Sequence, residues 1–101
     1  MGYTSLLNEK AHDEFIEAIE WYELRQKGLG ARFMECVERR VHQISVNPEY
    51  YGKKKGNYRE AKVESFPYKI VYEFFKSKQL IHIAAIYHGK RNPKRKYRRM
   101  K

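Results

Sequence analysis

The fold is decided by Tyr68-Lys69-Ile70-Val71-Tyr72-Glu73-Phe74-Phe75, then Lys76-Ser77-Lys78-Gln79, Leu80-Ile81-His82-Ile83-Ala84-Ala85-Ile86-Tyr87-His88 and Gly89-Lys90-Arg91-Asn92-Pro93. The two apolar runs are rich in β-branched and aromatic residues and too short for independent helices. Four polar residues join them, so the pair predicts a β-hairpin. The second run is almost wholly apolar, which predicts a strand inside the sheet, covered on at least one face. It opens abruptly into cationic chain and delivers His88 and Arg91 to the surface.

Upstream, Tyr3–Leu7 reads as a short edge strand. Asn8 can cap a helix, because its side-chain oxygen can accept a first-turn N–H. From Glu9 the positions Ala11, Phe15, Ala18, Ile19 and Tyr22 recur at helical spacing. Gly28 suits a left-handed stop, and Leu29-Gly30 leaves room only for a tight reversal. Phe33, Val37, Val41 and Ile44 mark a second helix, which ends at Asn47-Pro48 because the residue before proline is pushed out of helical geometry. Helices joined this closely pack as an antiparallel hairpin. Trp21 lies off the main stripe and is expected to cover a sheet edge.

Residues 49–57 read as a loop with a lysine triplet between glycines. Tyr58–Glu64 alternates as a strand, with Arg59, Ala61 and Val63 on one face and Tyr58, Glu60 and Lys62 on the other. The order β-α-α-β-β-β predicts an α+β fold, a helical hairpin packed on a small antiparallel sheet. Phe15, Ile19, Phe33, Val37, Ile70, Tyr72, Ile83 and Ala85 are expected to form one core between the layers.

Charge is unevenly spread over the 101 residues, whose net charge is +10. Residues 1–50 hold six Lys/Arg against nine Asp/Glu, while residues 51–101 hold sixteen against three. Such asymmetry points to a partner that is nucleic acid or an acidic protein. The chain is expected to be one domain, 1–101, with a basic tail at 90–101 that orders only on binding. The single cysteine, Cys36, excludes an internal disulfide framework and fits a reducing compartment. No apolar run approaches the ~20 residues of a membrane span, and a signal-peptide core is lacking, so a cytoplasmic protein without a membrane partner is expected. His12, His42 and His82 lack ligand spacing, so neither a metal nor a cofactor is expected. Polyanion or target binding falls to Lys53, Lys54, Lys55, Arg59, Arg91, Lys94, Arg95, Lys96, Arg98 and Arg99. Tyr50, Tyr51 and Tyr58 could stack on bases or close the rim of the core.

Several segments in series resemble the RelE/ParE toxin superfamily. They are Ala11-x-Asp13-Glu14, Glu17-Ala18-Ile19-Glu20-Trp21-Tyr22, Gly28-Leu29-Gly30-x-x-Phe33, Asn47-Pro48, Tyr58-Arg59, Phe66-Pro67-Tyr68-Lys69-Ile70-Val71-Tyr72 and Ile83–Pro93. The resemblance implies the toxin of a bacterial type II toxin–antitoxin (plasmid-stabilisation) module, which inhibits growth and is neutralised by an acidic antitoxin. A homodimer is left open. Trp21-Tyr22 and the ending His88-x-x-Arg91-x-Pro93 look closer to the ParE-like branch, associated with DNA gyrase. The RelE-like branch cleaves mRNA on the ribosome without a metal. For that chemistry the resemblance offers Lys69, His88, Arg91 and Tyr97, with Arg59 as a further cation. A base, an acid and cations on the phosphorane oxygens are what 2′-OH attack needs. The carboxylate that some nucleolytic relatives place before the central-strand cation is replaced here by Phe66-Pro67. The expectation is therefore a non-enzymatic, target-binding toxin, with the endoribonuclease and a non-toxic nucleic-acid-binding domain as alternatives.

Overall fold

Asn8 ends the first strand and starts the first helix. The structure, a computed structural model, describes residues 2–89; Arg91, the remaining tail cations and Tyr97 lie outside them. The Asn8 side-chain oxygen accepts the Ala11 N–H at 2.8 Å, so β1 (Thr4–Leu7) gives way to α1 (Glu9–Arg25). Near the far end of α1, the Glu23 carboxylate accepts the N–H groups of Gly28 at 2.9 Å and Gly30 at 3.0 Å. These donors open α2 (Leu29–Val46), where a helix lacks internal acceptors and its dipole favours an anion. Gly28 makes the corner at φ 88°. Gly30 is held by proximity: a Cβ there would stand 2.6 Å from the Ile19 carbonyl oxygen. As expected, α2 stops at Asn47, before Pro48.

The sheet has five strands in the order β1-β5-β4-β3-β2, where β2 is Lys53–Lys55, β3 Tyr58–Lys62, β4 Tyr68–Phe75 and β5 Leu80–His88. The expected hairpin is present: β4 and β5 pair antiparallel across a 3-10 turn at Lys76–Lys78. Two features correct the expected antiparallel sheet. First, β1 pairs with β5 in parallel, from Thr4 opposite Leu80 to Leu7 opposite Ile83. Alternation in Tyr3–Leu7 reports which side chains face inward but not the direction of the partner strand. Secondly, the lysine triplet expected in a loop is an edge strand, turned onto β3 through Gly56 at φ 57°. Its side chains are exposed, so only its backbone takes part in pairing, which side-chain patterning does not register.

Between Val71 and Tyr72 the β4–β5 register shifts, Val71 facing Ala85 but Tyr72 facing Ile83. Ala84 is thus the extra residue of a bulge. Ile81, Ile83 and, beyond the bulge, Ile86 face the helices, whereas Ala85 joins Val71 and Tyr87 on the other face. The expectation that Ala85 lies with Ile83 in one core is therefore corrected. Uninterrupted alternation would have put it there.

A cluster of aromatic rings helps join the helices to the sheet. Phe33 lies 4.9 Å from Tyr68, and 5.1 Å from both Tyr22 and Phe66, with Tyr22 and Phe66 4.9 Å apart. Tilted and edge-on pairs of this kind add about 0.5–1.5 kcal/mol each beyond burial. Trp21, expected at a sheet edge, is instead 46% exposed, its ring under the Arg25 guanidinium at 4.2 Å. Where β1 ends, the Glu14 carboxylate continues its work by accepting the Ile86 N–H at 3.1 Å.

Two outcomes test this packing. Gly30→Ala should lower stability by about 1–3 kcal/mol, the usual cost of overpacking, since its neighbour is helix backbone that cannot rotate away; denaturant unfolding measures it. Tyr72 supplies the second. Its buried hydroxyl donates to the Pro48 carbonyl at 2.6 Å, and burial is the main cause pushing its pKa well above the ordinary tyrosine value, with the Arg59 charge opposing. A raised folded-state pKa favours the neutral phenol in the native state. This contribution is complete below about pH 10 and is lost as pH rises above it. Tyr72→Phe should unfold at lower urea at pH 8 and lose less stability than wild type between pH 9.5 and 11.5.

Candidate functional site

The face of the sheet turned away from the helices gathers polar chemistry. Strand alternation directs Glu60 and Lys62 of β3 there, with Lys69 and Glu73 of β4 and His82 and Tyr87 of β5. Register aligns them in rows: Lys62 opposite Lys69 and Lys69 opposite Tyr87; Glu60 opposite Val71; Glu73 opposite His82. Val71, Ala85 and Tyr87 are buried, with Tyr58 packed against them.

Glu60 sits at the centre of this arrangement. Its side chain is 4% exposed; Oε1 accepts the Tyr87 hydroxyl at 3.2 Å and lies 4.0 Å from Lys69 Nζ. Burying a carboxylate is costly unless it is paired and hydrogen-bonded, and Glu60 has both kinds of partner. Further along, His82 Nδ1 lies 3.4 Å from Glu73 Oε1. Burial, and then the Glu73 charge, raises the pKa of Tyr58. The opposite end is apolar, with Leu6 54% and Phe75 41% exposed.

Of the residues read as catalytic, the two that are described, Lys69 and His88, do not converge. Lys69 faces away from the helices, whereas His88 pairs with Tyr68 and meets its ring at 5.4 Å on the helix side. Arg91 and Tyr97 lie outside the described residues, as do Lys94, Arg95, Lys96, Arg98 and Arg99. Of the remaining cations, Lys53, Lys54 and Lys55 line the exposed β2 edge. Arg59 leaves them for the helix-side rim, donating to the Glu49 carbonyl at 3.2 Å and to the Tyr51 carbonyl, with its guanidinium 5.4 Å from the Phe74 ring centroid. It fixes the loop after α2. Sequence reasoning put Glu60 on the correct face but gave it no role. Tyr87 joins it only because the bulge resets alternation. Among the described residues no group of three His, Cys, Asp or Glu could hold a metal, and no helix is long and apolar enough to cross a membrane.

Two antiparallel helices on a five-stranded mixed sheet form the α+β fold of RelE and ParE toxins. The E. coli RelE toxin, as a double mutant in the free state, superposes with TM-score 0.72 at 18% identity, covering 99% of this chain and 95% of that one. The chromosomal ParDE toxin–antitoxin system of P. aeruginosa contains a chain matching with TM-score 0.73 at 13% identity, covering 85% of this chain and 95% of that one. Isolated E. coli RelE matches at 0.62 and 19%, with 90% and 88% covered. A sequence comparison with curated proteins finds no match. The family model described as the ParE toxin of the type II toxin–antitoxin system, parDE, matches residues 6–93, and the chain belongs to that family. It is thus a type II toxin, and membership implies an antitoxin partner.

Glu60 provides the test of this face. Glu60→Ala should cost about 1–3 kcal/mol by removing the buried carboxylate that accepts from the Tyr87 hydroxyl. Glu60→Gln, which keeps an acceptor, should cost less, because Lys69 is one-third exposed and its ion pair is weakened by solvent. Urea unfolding of both variants, alone and with Tyr87→Phe, measures the coupling.

Proposed function

We propose that this toxin inhibits growth by binding DNA gyrase and that it is not a ribonuclease. The observation carrying this reading is the pairing of Lys69, the central-strand cation, with the buried Glu60 carboxylate. A cation stabilises a phosphorane only through charge still available in the transition state. Lys69 is directed to that carboxylate at 4.0 Å, and His88 occupies the opposite face. Likeness of Trp21-Tyr22 to the ParE-like branch supports gyrase as the target. In this reading the exposed lysines of β2 and the tail cations contribute by docking, each loss weakening affinity in a salt-dependent way.

One observation favours the endoribonuclease as the second reading. Phe66-Pro67 brings no carboxylate, but Glu60 lies beside a cation and a phenol, and a buried carboxylate can serve as a general base. The two readings separate in paired assays. The wild type should inhibit gyrase supercoiling and leave ribosome-bound mRNA intact, and deletion of residues 94–101 should weaken the inhibition. Robust mRNA cleavage, abolished by Glu60→Gln or Arg91→Ala with RNA affinity retained, would establish the ribonuclease instead.

A further inference from the structure

We propose that the outer edge of β1 is a contact between two copies of this chain, which pair antiparallel about Leu6 and join their five-stranded sheets into one. β1 has β5 on one side and no strand on the other. Backbone groups alternate in direction along a strand, so the residues that bond inward fix those that face out. The Thr4 N–H donates to the Gln79 carbonyl at 2.9 Å and the Asn8 N–H to the Ile83 carbonyl at 3.0 Å. Ser5 and Leu7 therefore turn their N–H and C=O groups to the outer edge, where they meet no partner among the described residues.

The free stretch is closed at both ends. Before it, the Tyr3 N–H is taken by the Ser45 carbonyl at 2.9 Å; after it, the chain enters α1. What remains matches a second copy of itself in one register. With Leu6 on a two-fold axis, Ser5 of each copy stands opposite Leu7 of the other, and each such pair exchanges both of its bonds. Leu6 then meets its own counterpart in the non-bonded position, where facing side chains approach most closely. Such an interface is isologous and closes at two copies.

The chemistry of the edge selects this occupant. A phosphodiester backbone has no alternating N–H and C=O groups to answer a strand, whereas another strand does. β1 and the residues it faces on β5, Leu80, Ile81, His82 and Ile83, hold no lysine or arginine, so the edge gives an acidic segment no advantage. On the face turned away from the helices, register sets Thr4 beside Leu80 and Phe75, while Leu6 stands 54% exposed for its counterpart to cover. The other edge of the sheet is guarded by the three exposed lysines of β2, which repel a second copy. Pairing through β1 sends these lysines to the far ends of the joined sheet, where their mutual repulsion is least.

The test uses the intact chain alone. Sedimentation should show a monomer at low micromolar concentration and a dimer, but nothing larger, towards millimolar. Salt should strengthen the dimer by screening two chains of net charge +10. Leu6→Lys, at an exposed side chain, should weaken it at least tenfold. Ser5→Pro should do the same, because it deletes an outward N–H that the fold does not use. Lys54→Gln on the far edge should change it less than twofold. In the wild type, amide exchange at Ser5 and Leu7 should slow at least tenfold on concentration, while Thr4 and Asn8, already bonded to β5, stay unchanged. That readout needs no variant to fold. A monomer at every concentration, or exchange at Ser5 and Leu7 that ignores concentration, would overturn the proposal. So would assemblies that keep growing, which mark β1 pairing with β2 in an open chain, and a dimer that salt weakens, which marks an ionic contact elsewhere. Protection of Ser5 and Leu7 only on adding the antitoxin, and not by concentration, would give the edge to that partner's strand instead.

Discussion

At Ala84, β5 carries a residue with no opposite number in β4, and every side chain beyond it changes face. The face turned away from the helices depends on this shift. Without it Tyr87 would point at α1 and α2, Ile86 would point away from them, and Glu60 would lose the hydroxyl that makes its burial tolerable. Bulges commonly re-aim side chains in this way. Here the bulge lets one strand serve an apolar core with Ile81, Ile83 and Ile86 and a polar cluster with Tyr87.

The two layers meet under different physical rules. On the helix side, rings around Phe33 pack edge-on and tilted, and Glu23 and Glu14 spend their charges on backbone N–H groups of α2 and β5. Much of the acidic charge in the first half thus has structural work inside the molecule or lies on the helix surface. On the other side the polar side chains answer one another, Glu60 with Lys69 and Glu73 with His82. The lysines of β2 sit on a sheet edge, where charge discourages pairing with other chains.

Much of the fold is legible in the sequence because its signals are local. Asn8 by its side-chain cap, and Gly28 and Asn47-Pro48 by backbone geometry, bound the helices, and the two apolar runs about Lys76–Gln79 declare their hairpin. What was missed is non-local or carried by backbone alone. The direction of β1 depends on a partner far along the chain, and the pairing of β2 involves no side-chain pattern. The place of Ala85 depends on a bulge that breaks the two-residue period. The candidate site is less legible for the same reason: Glu60, Lys69 and Tyr87 come from three strands. Lys69 and His88, although both near the ends of the paired central strands, fall on opposite faces because their registers differ by one.

The parallel ladder between β1 and β5 bears on how the molecule is made. The first strand leaves the ribosome long before the last exists, yet Thr4 must wait for Leu80 and Leu7 for Ile83. The helical hairpin and the β4–β5 ribbon close short loops, whereas the β1–β5 contact closes nearly the whole described chain and carries the larger entropic cost. A nascent chain can therefore assemble its helices early but cannot complete its sheet until Leu80–His88 has been made. In a member of a toxin family, this ties the appearance of a finished surface to the emergence of β5.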